Sequence, residues 1–469
     1  MMRQGTNSGS RGSRFVLIVA TAATIATGSA QDYRSNPVWW NAGEDAALGW
    51  AEAYDNPDGD VGILNKNGGL HTTGHPFFEA LGTNGRACVT CHQPAGGMGI
   101  SAATLRERWT ATEGKDPVFA AVDGSNCPDL PQSAAASHSL ALERGLFRIA
   151  LPWPPKTADG TVIKPEFRIE VVRDPTGCNL SPIYGLKSKT PMISVFRRPR
   201  IAANLEYVLS GALMADGREP TLRSQAVTAI MTHEEAGKPP SDEQLRRIVE
   251  FEMHVFAAQR SDIRGGLLNE EGGPLVLGAD NLAGGKSGRL GDSGAAVLAS
   301  FSVWRKGSDG DPQIQQEFRA SVVRGSDVFF TRTFRIRDAS GSRMYTCATC
   351  HAADAPRWMD IGTTNVRPEK ASPELPLFRI TCDASALDHP LLGRVFYTQD
   401  PGRGLISGKC AEVGSMVPQQ LRALAARAPY FSNGSARTLR DVVDYYDHRF
   451  DIGYSEQEKR DLINFLRVL

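Results

Sequence analysis

Net charge is the first thing the sequence lacks: 52 lysines and arginines stand against 52 aspartates and glutamates. A balanced chain sets up no global field to hold nucleic acid or an anionic membrane, so neither is expected as a partner and recognition must be local. The sequence also lacks an apolar run of the ~20 residues needed to cross a bilayer. The run at residues 15–26 falls short of that; it follows Arg3, Arg11 and Arg14 and leads to Gly28-Ser29-Ala30. Basic residues, a short apolar run and then small residues mark an export signal. A cleaved peptide over 1–30 and a periplasmic mature chain without a membrane span are therefore expected. Disorder is excluded as well, because 41% apolar against 22% charged residues suffices for a real core. At 469 residues that core should divide into two or three packing units.

Cysteine is scarce, with eight in all, and export would place them where disulfides persist. Four fall in Cys88-Val-Thr-Cys91-His92 and Cys347-Ala-Thr-Cys350-His351, two copies of the C-x-x-C-H haem-attachment sequence. Two thiols on one turn reach the two vinyl groups of one porphyrin, and the adjacent imidazole then becomes an axial ligand of the iron. Two covalently bound haem c groups are expected, with His92 and His351 on the irons. A zinc or redox C-x-x-C is the competing reading, but both copies carry the trailing histidine and the chain carries an export signal. Cys127, Cys178, Cys382 and Cys410 lie outside such motifs, two in each half. Pairing within each half, Cys127 with Cys178 and Cys382 with Cys410, is the simplest arrangement, although sequence does not fix connectivity.

The two motifs belong to a longer repeated order. Gly74-His-Pro-Phe77-Phe78 precedes the first and Gly325-Ser-Asp-Val-Phe329-Phe330 the second. Later in each half a glycine, three residues and Thr-Leu-Arg recur, from Gly217 to Arg223 and from Gly434 to Arg440. A polar start followed by helix-periodic apolar residues closes both halves: Leu245, Ile248, Val249 and Phe251 in one, Leu462, Ile463, Phe465 and Leu466 in the other. This predicts a mainly α chain of two cytochrome c-like haem domains in tandem with long loop insertions. The expected boundaries are 31–268, carrying an insertion over 94–189, a glycine-rich linker over 269–320, and 321–469. A short hairpin is expected within 166–172.

The string Ala428-Pro-Tyr-Phe-Ser-Asn-Gly-Ser-Ala-Arg-Thr-Leu-Arg-Asp-Val-Val-Asp-Tyr-Tyr446, with Asp216-Gly217-Arg218 and Thr221-Leu-Arg-Ser-Gln225-Ala226 in the first half, resembles the bacterial dihaem cytochrome c peroxidase superfamily, which includes MauG-like enzymes. The resemblance covers both haem regions but not 94–189. It implies peroxide chemistry at the N-terminal haem and electron transfer at the C-terminal one. Hydrogen peroxide and a small donor protein, a cytochrome c or cupredoxin, would be the partners. Glu235, at the family spacing from Gln225, would move protons in the peroxide site, with Gln225 as a hydrogen-bonding companion. Tyr446 occupies the sixth-ligand position of the second haem, with Met416 and His448 as rivals; its helical spacing from Val442 and Val443 also suits a core residue. Asn204 matches a calcium ligand, with the Arg427 and Pro429 carbonyls beside it. The family's tryptophan before Asp-Gly-Arg is replaced by Ala215, which removes an aromatic relay between the haems.

Besides peroxide reduction, two other readings fit these residues. One is MauG-like oxidation of a protein or organic substrate. The other is a plain electron-transfer cytochrome with both irons six-coordinate.

Overall fold

At Asn56-Pro57-Asp58-Gly59 the chain reverses: proline fixes one φ and Gly59 adopts φ 147°. Strands Ala51–Asn56 and Gly59–Asn65 consequently pair antiparallel. Gly59 lies so close to the Ser261 backbone that no side chain would fit. Ser261 belongs to Val255–Asp262, which pairs antiparallel with Gly59–Asn65 and sets Ile63 opposite Ala257. The computed structural model describes residues 34–35, 39–207, 212–285, 299–307, 310–338, 341–351 and 364–469. The expected export signal lies outside them.

The expectation of a mainly α chain of two cytochrome c-like domains is corrected by the strands. The chain is mixed α/β, 33% helical and 19% strand, with five small sheets among the described residues. Much of the strand content lies where the sequence suggested loops. Phe147–Pro152 pairs with Met192–Arg197. Phe167–Arg173 forms no local hairpin; it pairs antiparallel with Leu377–Cys382, which in turn pairs with Val395–Thr398. The segment 94–189 is thus tied by a sheet to residues of the second half. Both expected disulfides form, Cys127–Cys178 and Cys382–Cys410. The glycine-rich stretch after Asn269 packs over its described part: Leu277 and Leu282 are buried, and Ala279–Ala283 is helical.

The repeat is visible in the packing. Helices Leu222–His233 and Leu439–Phe450 both begin in capping boxes, at Thr221 with Ser224 and at Thr438 with Asp441. The closing helices Asp242–His254 and Glu456–Arg467 do the same from Ser241 and Ser455. Each closing helix contributes one phenylalanine to an aromatic cluster. Phe251 lies 4.7 Å from Phe77, which is 5.2 Å from Phe78; Phe465 lies 5.3 Å from Phe329, which is 5.2 Å from Phe330. Burying three such rings contributes several kcal/mol per cluster, at about 1.5–3 kcal/mol per side chain. The two clusters anchor two separate cores.

Candidate functional site

Each C-x-x-C-H motif folds as a short helix, Cys88–Cys91 and Cys347–His351, laid against its aromatic cluster. Phe77 is 6.5 Å from the His92 ring and Phe329 is 6.3 Å from the His351 ring. Each motif lines its own cleft, with about 1370 Å³ of empty space beside the first and about 1400 Å³ beside the second, counting the parts open to solvent.

Both histidines are neutral. Burial lowers each to about 4, so neither is charged near neutral pH. His92 Nδ1 sits 3.2 Å from the Met98 carbonyl. Donation there leaves the lone pair on Nε2, the tautomer that binds a metal ion. His351 Nδ1 makes no complete hydrogen bond, although the Gln419 backbone lies close enough to favour its protonation. Three of the thiols are protonated: burial pushes Cys91 up to about 12 and Cys347 up to about 11, and burial beside Glu234 raises Cys88 well above its ordinary value. Cys88, Cys91 and Cys347 stand outside the two disulfides.

One helix face lines each cleft, in the same register. Leu222, Gln225, Ala226, Ala229 and His233 border the first; Leu439, Val442, Val443, Tyr446 and Phe450 border the second. Positions i, i+3, i+4, i+7 and i+11 recur in both, the spacing of one side of an α-helix. Superposing the two lists sets Ala229 against Tyr446 and His233 against Phe450. The second cleft is filled by a phenol where the first has only a methyl group.

Ala215, Arg198, Pro199 and Gln420 border both clefts and form a common wall. Met214 borders the first cleft and Phe431 the second, each three residues before the repeat's glycine and each in the left-handed region at φ 66°. Non-glycine residues in that region store backbone strain, which collects at functional sites. Around the wall, Arg198, Arg200, Arg422 and Arg427 donate only to backbone carbonyls. None of them hydrogen-bonds to a carboxylate among the described residues, although Asp216 lies near enough to Arg200 to favour its charge. Burial lowers Arg198 to about 9 and the other three to about 10, and Arg422 Nη2 has no hydrogen-bond partner. Buried charge without a counter-charge is costly. Arg198, Arg200 and Arg427 border the clefts, and such cations fit anionic occupants; haem carries carboxylate side chains. With paired thiols and a neutral imidazole in each cleft, the donor set fits covalently bound haem.

No family model matches the chain, and no curated protein matches it. Among solved structures it is similar to a MauG-like protein associated with microbial copper homeostasis, with 16% identity over 59% of this chain and 74% of that one and a TM-score of 0.33. So distant a likeness says nothing about individual residues, and the site stands on its own geometry.

The expected haem-attachment residues lie together as two separate groups, and Gln225 faces the first cleft. Glu235 does not. It follows the end of the Leu222–His233 helix at φ 54°, is exposed, and accepts from Asn84 Nδ2 at 3.1 Å. The left-handed turn carries its side chain outward and leaves the preceding Glu234 on the cleft. Burial raises Glu234 to about 7 even though Leu81 N–H donates to it. Tyr446 and Met416 both border the second cleft, whereas His448 is exposed. The amide of Asn204 is committed to the Ala257 backbone, donating at 2.8 Å and accepting at 3.0 Å. The Arg427 carbonyl accepts from the Arg198 guanidinium at 2.8 Å, so a calcium ion there would meet a resident positive charge. Sequence reasoning missed Asp123, which is in the segment without family resemblance, and passed over His233. The two are hydrogen-bonded at the first cleft.

Proposed function

We propose that the chain is an exported dihaem c-type oxidoreductase that reduces hydrogen peroxide in the N-terminal cleft, with electrons entering at the C-terminal cleft from a small donor protein. The observation that carries this reading is the duplicated helix face, on which the small Ala229 of the first cleft stands where Tyr446 fills the second. Peroxide chemistry needs a cleft with room above the ligand plane, and electron entry does not. The two haems, once bound, supply the oxidation and reduction.

The chain's own residues do the rest. Cys88 with Cys91, and Cys347 with Cys350, would hold the porphyrins, and His92 and His351 would offer neutral imidazoles to the irons. Gln225 offers a donor and an acceptor to a peroxide oxygen in the first cleft. Ala226 and Ala229 leave space while keeping that wall apolar, which limits competing water. In the second cleft Tyr446 or Met416 would be the further side chain available to hold the iron. Burial pushes the Tyr446 phenol well above its ordinary value, so it would lose its proton only on binding a cation. Ala215 leaves no aromatic stop in the common wall, so electrons would cross it without a side-chain relay. A second reading, oxidation of a protein or organic substrate, is favoured by Tyr446, because a phenolate ligand stabilises higher oxidation states of iron.

An electron paramagnetic resonance spectrum of the oxidised protein tests the assignment. We expect one high-spin ferric signal from the N-terminal haem; its absence in every redox state would leave only a plain electron carrier. Peroxide turnover with a reduced donor protein separates the two enzyme readings. Tyr446→Phe and Met416→Leu identify the sixth ligand of the C-terminal haem. We expect the tyrosine change alone to convert that haem's spectrum; a response to Met416→Leu instead would move the ligand to the sulfur.

A further inference from the structure

His233 ends the helix that lines the N-terminal cleft, where the C-terminal copy has Phe450. An apolar ring would have suited that position. Instead His233 Nδ1 is hydrogen-bonded to one oxygen of Asp123, whose other oxygen is paired with Arg86. Arg86 is buried, and its remaining donors go to the carbonyls of Pro117 at 2.7 Å, Val118 at 2.6 Å and His233 itself at 3.3 Å. Asp123 is buried too; burial alone would push its carboxyl up, but Arg86 and His233 outweigh burial and hold it below the usual carboxylate range. An ionised Asp123 accepts, so Nδ1 carries the proton and the lone pair stays on Nε2. Nε2 makes no hydrogen bond among the described residues, and the side chain is 31% exposed at the cleft.

We propose that His233 is the proton acceptor of the N-terminal cleft and that Asp123 is its positioning residue, fixed by Arg86. The inference rests on the haem-oxidoreductase reading and assigns the proton step within it. A protonated ligand entering the cleft gives its proton to Nε2; the ligand keeps the bonding pair, and the imidazolium so formed is stabilised by its hydrogen bond to the Asp123 carboxylate, which it shares with Arg86. The proton is returned from Nε2 when a leaving oxygen needs it. This replaces Glu235, whose side chain is turned to solvent, and it recruits a residue from the 94–189 segment into the site.

Hydrogen cyanide and nitric oxide separate this role from packing. At neutral pH cyanide arrives protonated and must lose the proton to bind ferric haem as the anion; nitric oxide has none to lose. In stopped-flow measurements on the holoprotein we expect His233→Gln, which leaves the Arg86–Asp123 pair intact, to slow cyanide uptake by about 10²-fold, the scale of general base catalysis. Nitric oxide uptake should not change. Asp123→Asn, which keeps a hydrogen bond but loses the charge, should slow cyanide selectively by about tenfold, a smaller share of the same effect. Cyanide uptake unchanged in His233→Gln, or slowed only in step with nitric oxide, overturns the proposal and leaves the peroxide reading standing. Wild-type protein whose N-terminal haem takes up neither probe overturns both.

Discussion

A chain carrying Cys88→Ser and Cys91→Ser should leave the cell with one covalent haem instead of two and with no peroxide turnover. The two thiols sit on a single helical turn, and the rest of the first cleft offers no other thiol. The replacement removes two sulfurs and leaves His92, the arginines and the aromatic cluster in place, so the fold should survive. Intact mass falls by one porphyrin and the Soret absorbance per chain falls by about half, as expected for one haem of two. The matching change at Cys347 and Cys350 should keep the high-spin ferric signal and abolish turnover driven by a donor protein. The pair of variants therefore assigns one cleft to peroxide and the other to electron entry. Retained turnover in the first variant would contradict that division.

Asp216→Ala should be the most destabilising single substitution outside the haem motifs. Asp216 is fully buried and binds Arg197 and Arg218; Arg197 in turn donates to Asp400 at 2.6 and 2.8 Å. The network joins the Met192–Arg197 strand, the common wall and the second half of the chain. Removing one partner of a buried pair leaves an uncompensated charge and costs about 3–5 kcal/mol, which denaturant unfolding would register as a lower midpoint. The same network sets an acid limit. Burial pushes the Asp216 carboxyl up, but Arg218 and Arg197 together outweigh burial and hold it at about 2. A carboxyl depressed in the folded state contributes its stability above the unfolded value, about 3.9. That contribution is lost as pH falls from there through about 2. Wild-type stability should therefore drop over that interval, and the drop should be smaller in Asp216→Ala.

The chemistry of this chain is easier to read in the sequence than its fold. C-x-x-C-H points to covalent haem because thiols and imidazole must be neighbours on one turn, and each motif does fold as one short helix. The disulfides follow from two cysteines in each half, and the capped helices from Thr-x-x-Ser, Thr-x-x-Asp and Ser-x-x-Gln/Glu patterns that act within a single turn. The strands were hidden because their partners are remote: Ile63 pairs with Ala257 and Ile169 with Ile380, and no local period announces such pairs. Glu235 failed for a different reason. Spacing along the chain put it ten residues after Gln225, but the helix ends at His233 and a left-handed residue then turns the side chain away. The Arg86–Asp123–His233 group was invisible because its members come from three separate stretches, and only the fold brings them to one wall. The duplicated helix faces were legible as Thr-Leu-Arg repeats, yet the contrast between Ala229 and Tyr446 acquires meaning only when both are seen to line clefts.

The account rests on thioether-bound porphyrin in both clefts, and intact mass spectrometry of the mature chain, followed by peptide mapping, tests it most directly. Two porphyrins per chain, one on the peptide holding Cys88 and Cys91 and one on the peptide holding Cys347 and Cys350, is the expected result. A mature chain with neither peptide modified would contradict it.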